Sequence, residues 1–276
     1  MRPVITTLDT RVRMASKIQV EGVSKNYLRD GKPLQVLQDI DFDADDGEFV
    51  SIIGPSGCGK STLLNIIAGL DEPTTGAIYL NGQRSDKRLG AVGYMQQKDL
   101  LFPWRTVMDN AILGLELQGL SRSVARARAS GLMEQFGLSG FENEFPYALS
   151  GGMRQRVSFL RTVLADQEIF LLDEPLSALD ALNRSQLQEW LQEMWQSLNK
   201  TIVLVTHDVD EAVFLSDRVY VMTARPGRMK LALSVDLPRP RTLEMVTDAP
   251  FVSLKASLLS SIREEGNLIQ QEEPAR

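Results

Sequence analysis

Phe49-Val50-Ser51-Ile52-Ile53-Gly54-Pro55-Ser56-Gly57-Cys58-Gly59-Lys60-Ser61-Thr62 runs from a short, nearly unbroken apolar segment through a glycine-rich turn into the helix-forming stretch Thr62 to Leu70. An apolar run without alternation predicts a strand buried on both faces of a parallel sheet. The turn fits G-x-x-x-x-G-K-[ST]. Its glycines let backbone N–H groups converge on an anion with no Cβ in the way, and the helix start adds its dipole. Lys60 brings a fixed positive charge for β and γ phosphates. Ser61 offers a hydroxyl to Mg²⁺, an ion that keeps several waters and takes few protein ligands. Cys58 is either a small filler of this loop or a thiol whose pKa the helix N-terminus lowers.

Further buried runs follow at Ile169 to Leu172, Ile202 to Val205 and Val219 to Met222. The first three of the four runs end in polar residues, and ligands of open parallel sheets bind beyond the carboxyl ends of the strands. Asp173 and Glu174 end the second run. A buried carboxylate costs several kcal/mol unless it is paired or bound to metal. A Mg²⁺ ion held by Asp173 resolves that cost and leaves Glu174 to orient and polarise an attacking water. Thr206-His207-Asp208 ends the third run and brings the only histidine of the chain to the same edge, where it can meet a γ-phosphate or the attacking water.

Outward from this core, Lys17 to Asp43 alternates apolar and polar residues, which predicts antiparallel strands around a turn at Asp30-Gly31. More than a hundred residues separate the first and second buried runs, so something is inserted. Thr106 to Gln118 and Ser121 to Phe136 predict helices, with Ser121 as an N-cap. After Asp180, the spacing of Leu187, Trp190, Leu191, Met194, Trp195 and Leu198 predicts an amphipathic helix with both tryptophans in the core. The expectation is an α/β fold of the P-loop NTPase class with a mainly parallel core sheet, an antiparallel β subdomain and an inserted helical subdomain. Its divisions are a basic extension over 1–16, an ATPase domain over 17–230 with the insert at about 98–165, and a tail over 231–276 with a helix at Val252 to Ile262.

The 276 residues carry a net charge of −6, so no basic surface neutralises nucleic-acid phosphates, and nucleic acid is not an expected partner. One cysteine excludes an internal disulfide and a zinc cluster. No stretch approaches the ~20 apolar residues of a membrane span. The chain is expected in the cytosol, or at a membrane through a partner.

Leu149-Ser150-Gly151-Gly152-Met153-Arg154-Gln155-Arg156 is a second helix start suited to an anion. With it, the sequence resembles the nucleotide-binding subunit of ATP-binding cassette (ABC) transporters, whose signature is L-S-G-G-x-x-x-R. The resemblance runs from about Ile18 to Arg228 with the motifs in the family's order. It implies that Tyr27 stacks on adenine and that Gly54, Pro55, Ser56, Gly57, Cys58, Gly59, Lys60, Ser61 and Thr62 hold the phosphates of ATP. Ser150, Gly151 and Gly152 would close over ATP bound to a second subunit, so the working unit would be a dimer, expected as a homodimer. Glu174 would be the catalytic base, His207 the switch histidine, and Gln96 the loop glutamine that touches Mg²⁺ and the attacking water. The Mg²⁺ ligands would be Ser61, Gln96 and Asp173. Ser177-Ala178-Leu179-Asp180 resembles the dimer-contact loop. Tyr94-Met95 stands before Gln96 where Val-Phe is commoner, and Phe159-Leu160-Arg161-Thr162 replaces an alanine-rich segment.

Lys98-Asp99-Leu100-Leu101-Phe102-Pro103-Trp104-Arg105 is unusually apolar for a proline-containing loop, either as core of the insert or as the surface that receives a multi-spanning membrane permease. Asp217-Arg218-Val219, Arg225-Pro226-Gly227-Arg228 and Asp236-Leu237-Pro238-Arg239-Pro240-Arg241 resemble segments of importer subunits for nitrate, taurine, aliphatic sulfonates and thiamine-pyrimidine precursors. Gln97 to Trp104 leans toward the pyrimidine-precursor type. The resemblance thus implies an importer ATPase on the cytoplasmic face of the membrane, served indirectly by an extracytoplasmic solute-binding protein. The alternative is an ABC ATPase outside transport, which would normally bring a second cassette, a coiled coil or basic patches.

Overall fold

A computed structural model describes residues 16–177, 179–198 and 200–272. The basic extension and Ala178 lie outside the described residues. Strand β1 (Ser16–Arg29) pairs antiparallel with β2 (Lys32–Asp45), with Tyr27 opposite Leu34. Asp30 and Gly31 between them both take positive φ, 52° and 74°, as a two-residue hairpin turn with the right twist demands. On its other edge β1 pairs with β4 (Thr75–Leu80), and β5 (Gln83–Arg84) completes this small antiparallel sheet.

The main sheet has the order β10-β9-β3-β8-β7-β6. Its members are β3 (Phe49–Ile53), β6 (Gly93–Met95), β7 (Ile169–Asp173), β8 (Thr201–Val205), β9 (Arg218–Met222) and β10 (Met229–Ser234). Every neighbouring pair is parallel except β9 with β10. Every residue of β3, β7 and β8 is buried, which is why these strands read as continuous apolar runs.

Alternate residues of each central strand enter two different cores. Phe49, Ile53, Phe170, Leu172, Ile202 and Leu204 join a core built with the helices of the insert. Val50, Ile52, Ile169, Leu171, Val203 and Val205 join a second core, formed with the antiparallel sheet and helix α1 (Lys60–Ala68). The sheet is therefore the middle of three layers.

Between β6 and β7 lie α2 (Val107–Ala111), α3 (Leu113–Leu117), α4 (Arg122–Met133) and α5 (Gly151–Leu164). The stretch read as one helix over Thr106 to Gln118 divides at Ile112. Ser121 holds the N-cap position of α4 without a capping hydrogen bond, its hydroxyl lying instead 3.2 Å from that of Ser123. Helix α6 (Ala181–Leu198) packs Trp190 against Phe136 and Phe159, with ring centroids 4.4 and 5.4 Å away, and Trp195 against Phe49 at 5.9 Å. Both tryptophans serve the core. Helices α7 (Val209–Leu215) and α8 (Ala249–Glu272) follow, the latter covering the stretch Val252 to Ile262 expected to be helical.

Candidate active site

Four parallel strands, β3, β6, β7 and β8, deliver the candidate residues to one edge. The turn after β3 wraps the start of α1, and at Gly59 φ is 112° while a Cβ would fall 2.6 Å from Leu37 Cδ2, so only glycine fits. The Lys60 ammonium is buried and donates to the carbonyls of Gly54 at 2.9 Å and Pro55 at 3.0 Å, which aims it along the inner side of the turn. Cys58 is buried beneath the loop, and burial pushes its thiol pKa up against the opposing pull of Lys60. Of the two readings of this cysteine, the structure favours the inert filler.

Asp173 ends β7 with its carboxylate beside the Ser61 hydroxyl. Burial raises its pKa, Ser61 lowers it, Glu174 raises it and Lys60 lowers it. Its Oδ1 atom is buried with no hydrogen-bond partner. A buried, unpaired carboxylate oxygen beside a serine hydroxyl is the donor set a small divalent cation takes, so Asp173 and Ser61 fit a Mg²⁺ ion.

Glu174 sits at φ 50°, an uncommon region for a residue with a Cβ, and its N–H is fixed on the Val205 carbonyl at 2.8 Å. This conformation carries the side chain off the strand end to meet two others. Gln97 Nε2 donates to Glu174 Oε2 at 3.1 Å, and His207 Nδ1 lies 3.4 Å from the same oxygen. The glutamine at this site is thus Gln97 and not Gln96. The Tyr94 hydroxyl turns toward α1 and donates to Asn65 Oδ1 at 3.0 Å, and Gln96 lines a surface cavity with Tyr94, Leu70, Leu89 and Val92. Backbone alternation puts Met95 and Gln97 on the other face.

Behind His207, the Thr206 hydroxyl donates to Glu211 Oε2 at 2.8 Å and accepts from the Asp208 N–H at 3.0 Å. Glu211 is fully buried, and burial pushes its pKa up to about 8, against the Thr206 hydrogen bond. No sequence signal singled it out.

Tyr27 is half exposed. Its hydroxyl is held by Asp71 Oδ2 at 2.5 Å and interacts with Thr62, which fixes the ring beside the first turn of α1. Burial and Asp71 push its pKa up to about 12. At the start of α5, Ser150 caps the helix by accepting the Met153 N–H at 3.2 Å, and Gly152 lies against Leu179 of the loop that follows Glu174. Arg154 ties this start to the Leu149 carbonyl at 2.8 Å and to Asp99 at 3.0 Å. These bonds tie the Ser150 to Gly152 start to Leu149 and Asp99.

Within Lys98 to Arg105 some groups are tied into the insert and others stay exposed. Arg161 holds the carbonyls of Asp99 and Leu100, buried Asn110 holds those of Phe102 and Arg105, and Leu101 packs on the core. Trp104 stays 71% exposed, stacked on Phe102 with centroids 5.1 Å apart.

The ABC transporter family model matches residues 37–177. Over 255 residues the chain is 45% identical to an uncharacterized ABC transporter ATP-binding protein of Methanocaldococcus jannaschii, covering 92% of this chain and 94% of that one. The chain belongs to the ABC transporter family. A second ABC relative, the aliphatic sulfonates import ATP-binding protein SsuB of Bacillus cereus, is 42% identical over 92% of this chain and 98% of its own. Among solved structures, a dimeric ATP-binding cassette in a post-hydrolysis state bound to ADP and Pi aligns with a TM-score of 0.73. It is 31% identical, over 80% of this chain and all of that one. The chain is an ABC-type ATPase with the P-loop NTPase fold.

Proposed function

We propose that this ABC ATPase energises import of a small solute, with its water-activating group at Glu174. The observation that carries the reading is the Glu174 carboxylate at the end of β7, held by Gln97 and facing His207 at 3.1 and 3.4 Å, on the sheet edge that carries the turn Gly54 to Thr62. The glycine-rich turn at the start of α1 and the Lys60 ammonium suit the phosphates of ATP, and the ring of Tyr27 offers a face to adenine. Ser61 and Asp173 would hold Mg²⁺, which when bound neutralises charge on the β and γ phosphates. Glu174 accepts a proton from, or polarises, the attacking water. Gln97 and His207 fix the direction in which its carboxylate points. Catalysis here is positioning and electrostatics, with no covalent step asked of the protein.

Ser150 to Gly152 of one subunit would close over ATP held by Gly54 to Thr62 of another, a homodimer in the simplest case; the dimeric neighbour supports this. A multi-spanning permease would seat on the exposed Leu100 and Trp104, and an extracytoplasmic solute-binding protein would act through it. Among the described residues no helix is long and apolar enough to cross a membrane, so attachment to the cytoplasmic face would be peripheral. Of the four solute types the sequence suggested, the SsuB relative favours aliphatic sulfonates over the pyrimidine-precursor type. Cells lacking this chain should fail to grow on an alkanesulfonate as sole sulfur source and should grow normally on sulfate. Detergent extracts should yield the chain with a multi-spanning protein. Unimpaired growth on the sulfonate would move the solute to another class, and recovery of the chain only in free form would count against transport.

A further inference from the structure

The Arg225-Pro226-Gly227-Arg228 turn between β9 and β10 takes no part in the chemistry above, yet it touches the turn that does. Arg225 is exposed, and its Nη2 and Nε both donate to the Gly57 carbonyl, at 2.7 and 3.1 Å. Gly227 is buried so close beneath the loop that a Cβ there would overlap the Cys58 carbonyl oxygen. Its backbone is pinned to β2 by Gly227 N–H to Val36 O and Gln38 N–H to Gly227 O, both 2.9 Å. The other end of the turn is anchored to the C-terminal helix, where buried Glu265 accepts the Ala224 N–H at 3.1 Å and pairs with Lys230 at 2.8 Å.

A trans peptide is planar, and its C=O and N–H point opposite ways. Drawing the Gly57 oxygen outward to a guanidinium therefore turns the Cys58 N–H inward. That N–H donates to the Pro55 carbonyl in a long, 3.4 Å hydrogen bond, to the same oxygen that accepts from the Lys60 ammonium at 3.0 Å. The Cys58 N–H and the Lys60 charge thus share the inner side of the loop. At φ 74° with no side chain, Gly57 has little of its own to hold that peptide in one orientation.

We propose that Arg225 is a positioning residue for the phosphate loop: it holds the Gly57–Cys58 peptide with its N–H turned to the nucleotide phosphates, and helix α8 keeps it there through Glu265. The proposal rests on the reading of Gly54 to Thr62 as the ATP loop. Hydrogen bonds to a charged donor are the strong ones, and the loss expected is about tenfold in affinity.

The full-length chain serves for the test, with Mg-ATP as the probe. Arg225→Ala should raise Kd and KM for ATP about tenfold, leave kcat within about twofold, and leave the nucleotide-free melting midpoint unchanged. Arg225→Lys, with one donor in place of a fork, should recover part of the affinity. Glu265→Gln, which keeps an acceptor but loses charge, should weaken affinity by a smaller factor. Because Cys58 is the only cysteine, ¹⁵N-cysteine labelling gives a single amide resonance at the peptide in question, and it should move in Arg225→Ala. Affinity within twofold of the parent with an unmoved Cys58 resonance would overturn the proposal, as would an affinity loss matched by a fall in melting midpoint. Lys60→Ala, run in parallel, should abolish binding. If it binds ATP normally, the loop assignment itself fails, which is a different result.

Discussion

At the residue scale, the site is decided by which of two adjacent glutamines faces Glu174. Glu174 offers one oxygen to both Gln97 and His207, so its carboxylate is aimed by neighbours on two other strand ends. Gln96 points the other way, into a cavity over α1. Gln97→Ala should lower kcat at least about tenfold with KM for ATP little changed, whereas Gln96→Ala should leave kcat within about twofold. Steady-state ATPase rates on the two purified variants decide it, and equal losses would contradict the geometry. The motif Met95-Gln96-Gln97 made a glutamine legible in the sequence but not its number. Alternation was the available signal: Tyr94 hydrogen-bonds α1, so Gln96 follows it, and the next residue returns to the Asp173 and Glu174 side. Lys60, Ser61, Asp173 and Glu174 were legible because motif and strand end coincide. Glu211 was not, because a lone acid in a short helix says nothing of its burial.

At the scale of elements, α7 is the lever behind His207, and both of its ends are tied. Asp208 caps the start, accepting the N–H groups of Asp210 and Glu211 at 2.9 and 3.2 Å. At the other end Arg241, 2% exposed, donates to the carbonyls of Val213, Phe214 and Ser216, and Arg239 donates to Leu215 and pairs with Asp217 at 2.8 Å. Burial and the Arg239 charge lower the Arg241 pKa to about 10. The Pro-Arg-Pro-Arg stretch was legible as a family resemblance, but its role was not, since the carbonyls it satisfies come from a different segment. Within α7, Glu211 makes stability depend on pH. Its pKa rises from 4.5 to about 8 on folding, so between those values the folded chain binds the proton that the unfolded chain has released. The contribution of this carboxyl is full below about pH 4.5 and declines as pH rises toward 8, by about 1.4 kcal/mol per unit at most. Glu211→Gln keeps an acceptor for Thr206 and removes the titration. Its melting midpoint relative to the parent should therefore be higher at pH 8.5 than at pH 5.5. A difference that is the same at both pH values would show that Glu211 titrates normally.

At the scale of the whole molecule, one chain carries two helix starts suited to phosphate, α1 and α5, and folds them into different layers. The α1 start lies among Lys60, Ser61 and Asp173, while Ser150, Gly151 and Gly152 are bound to the insert through Arg154 and Asp99. Sequence alone made the pair of starts legible, since each has its own glycine pattern. The fold adds that the two starts lie on opposite faces of the main sheet, in different cores, and we propose that the phosphate for the second comes from a second copy. Glu174→Gln keeps the shape and loses the charge that we propose polarises water. It should bind ATP, hydrolyse it at least about 100-fold more slowly, and accumulate as a dimer in Mg-ATP. Adding Gly151→Asp places a carboxylate where the partner's ATP would bring phosphate, and like charges repel without disturbing α1. That double variant should still bind ATP and remain a monomer. Light scattering at saturating Mg-ATP reads both outcomes: a Glu174→Gln protein that stays monomeric, or a dimer that survives Gly151→Asp, would place the α5 start outside the ATP site.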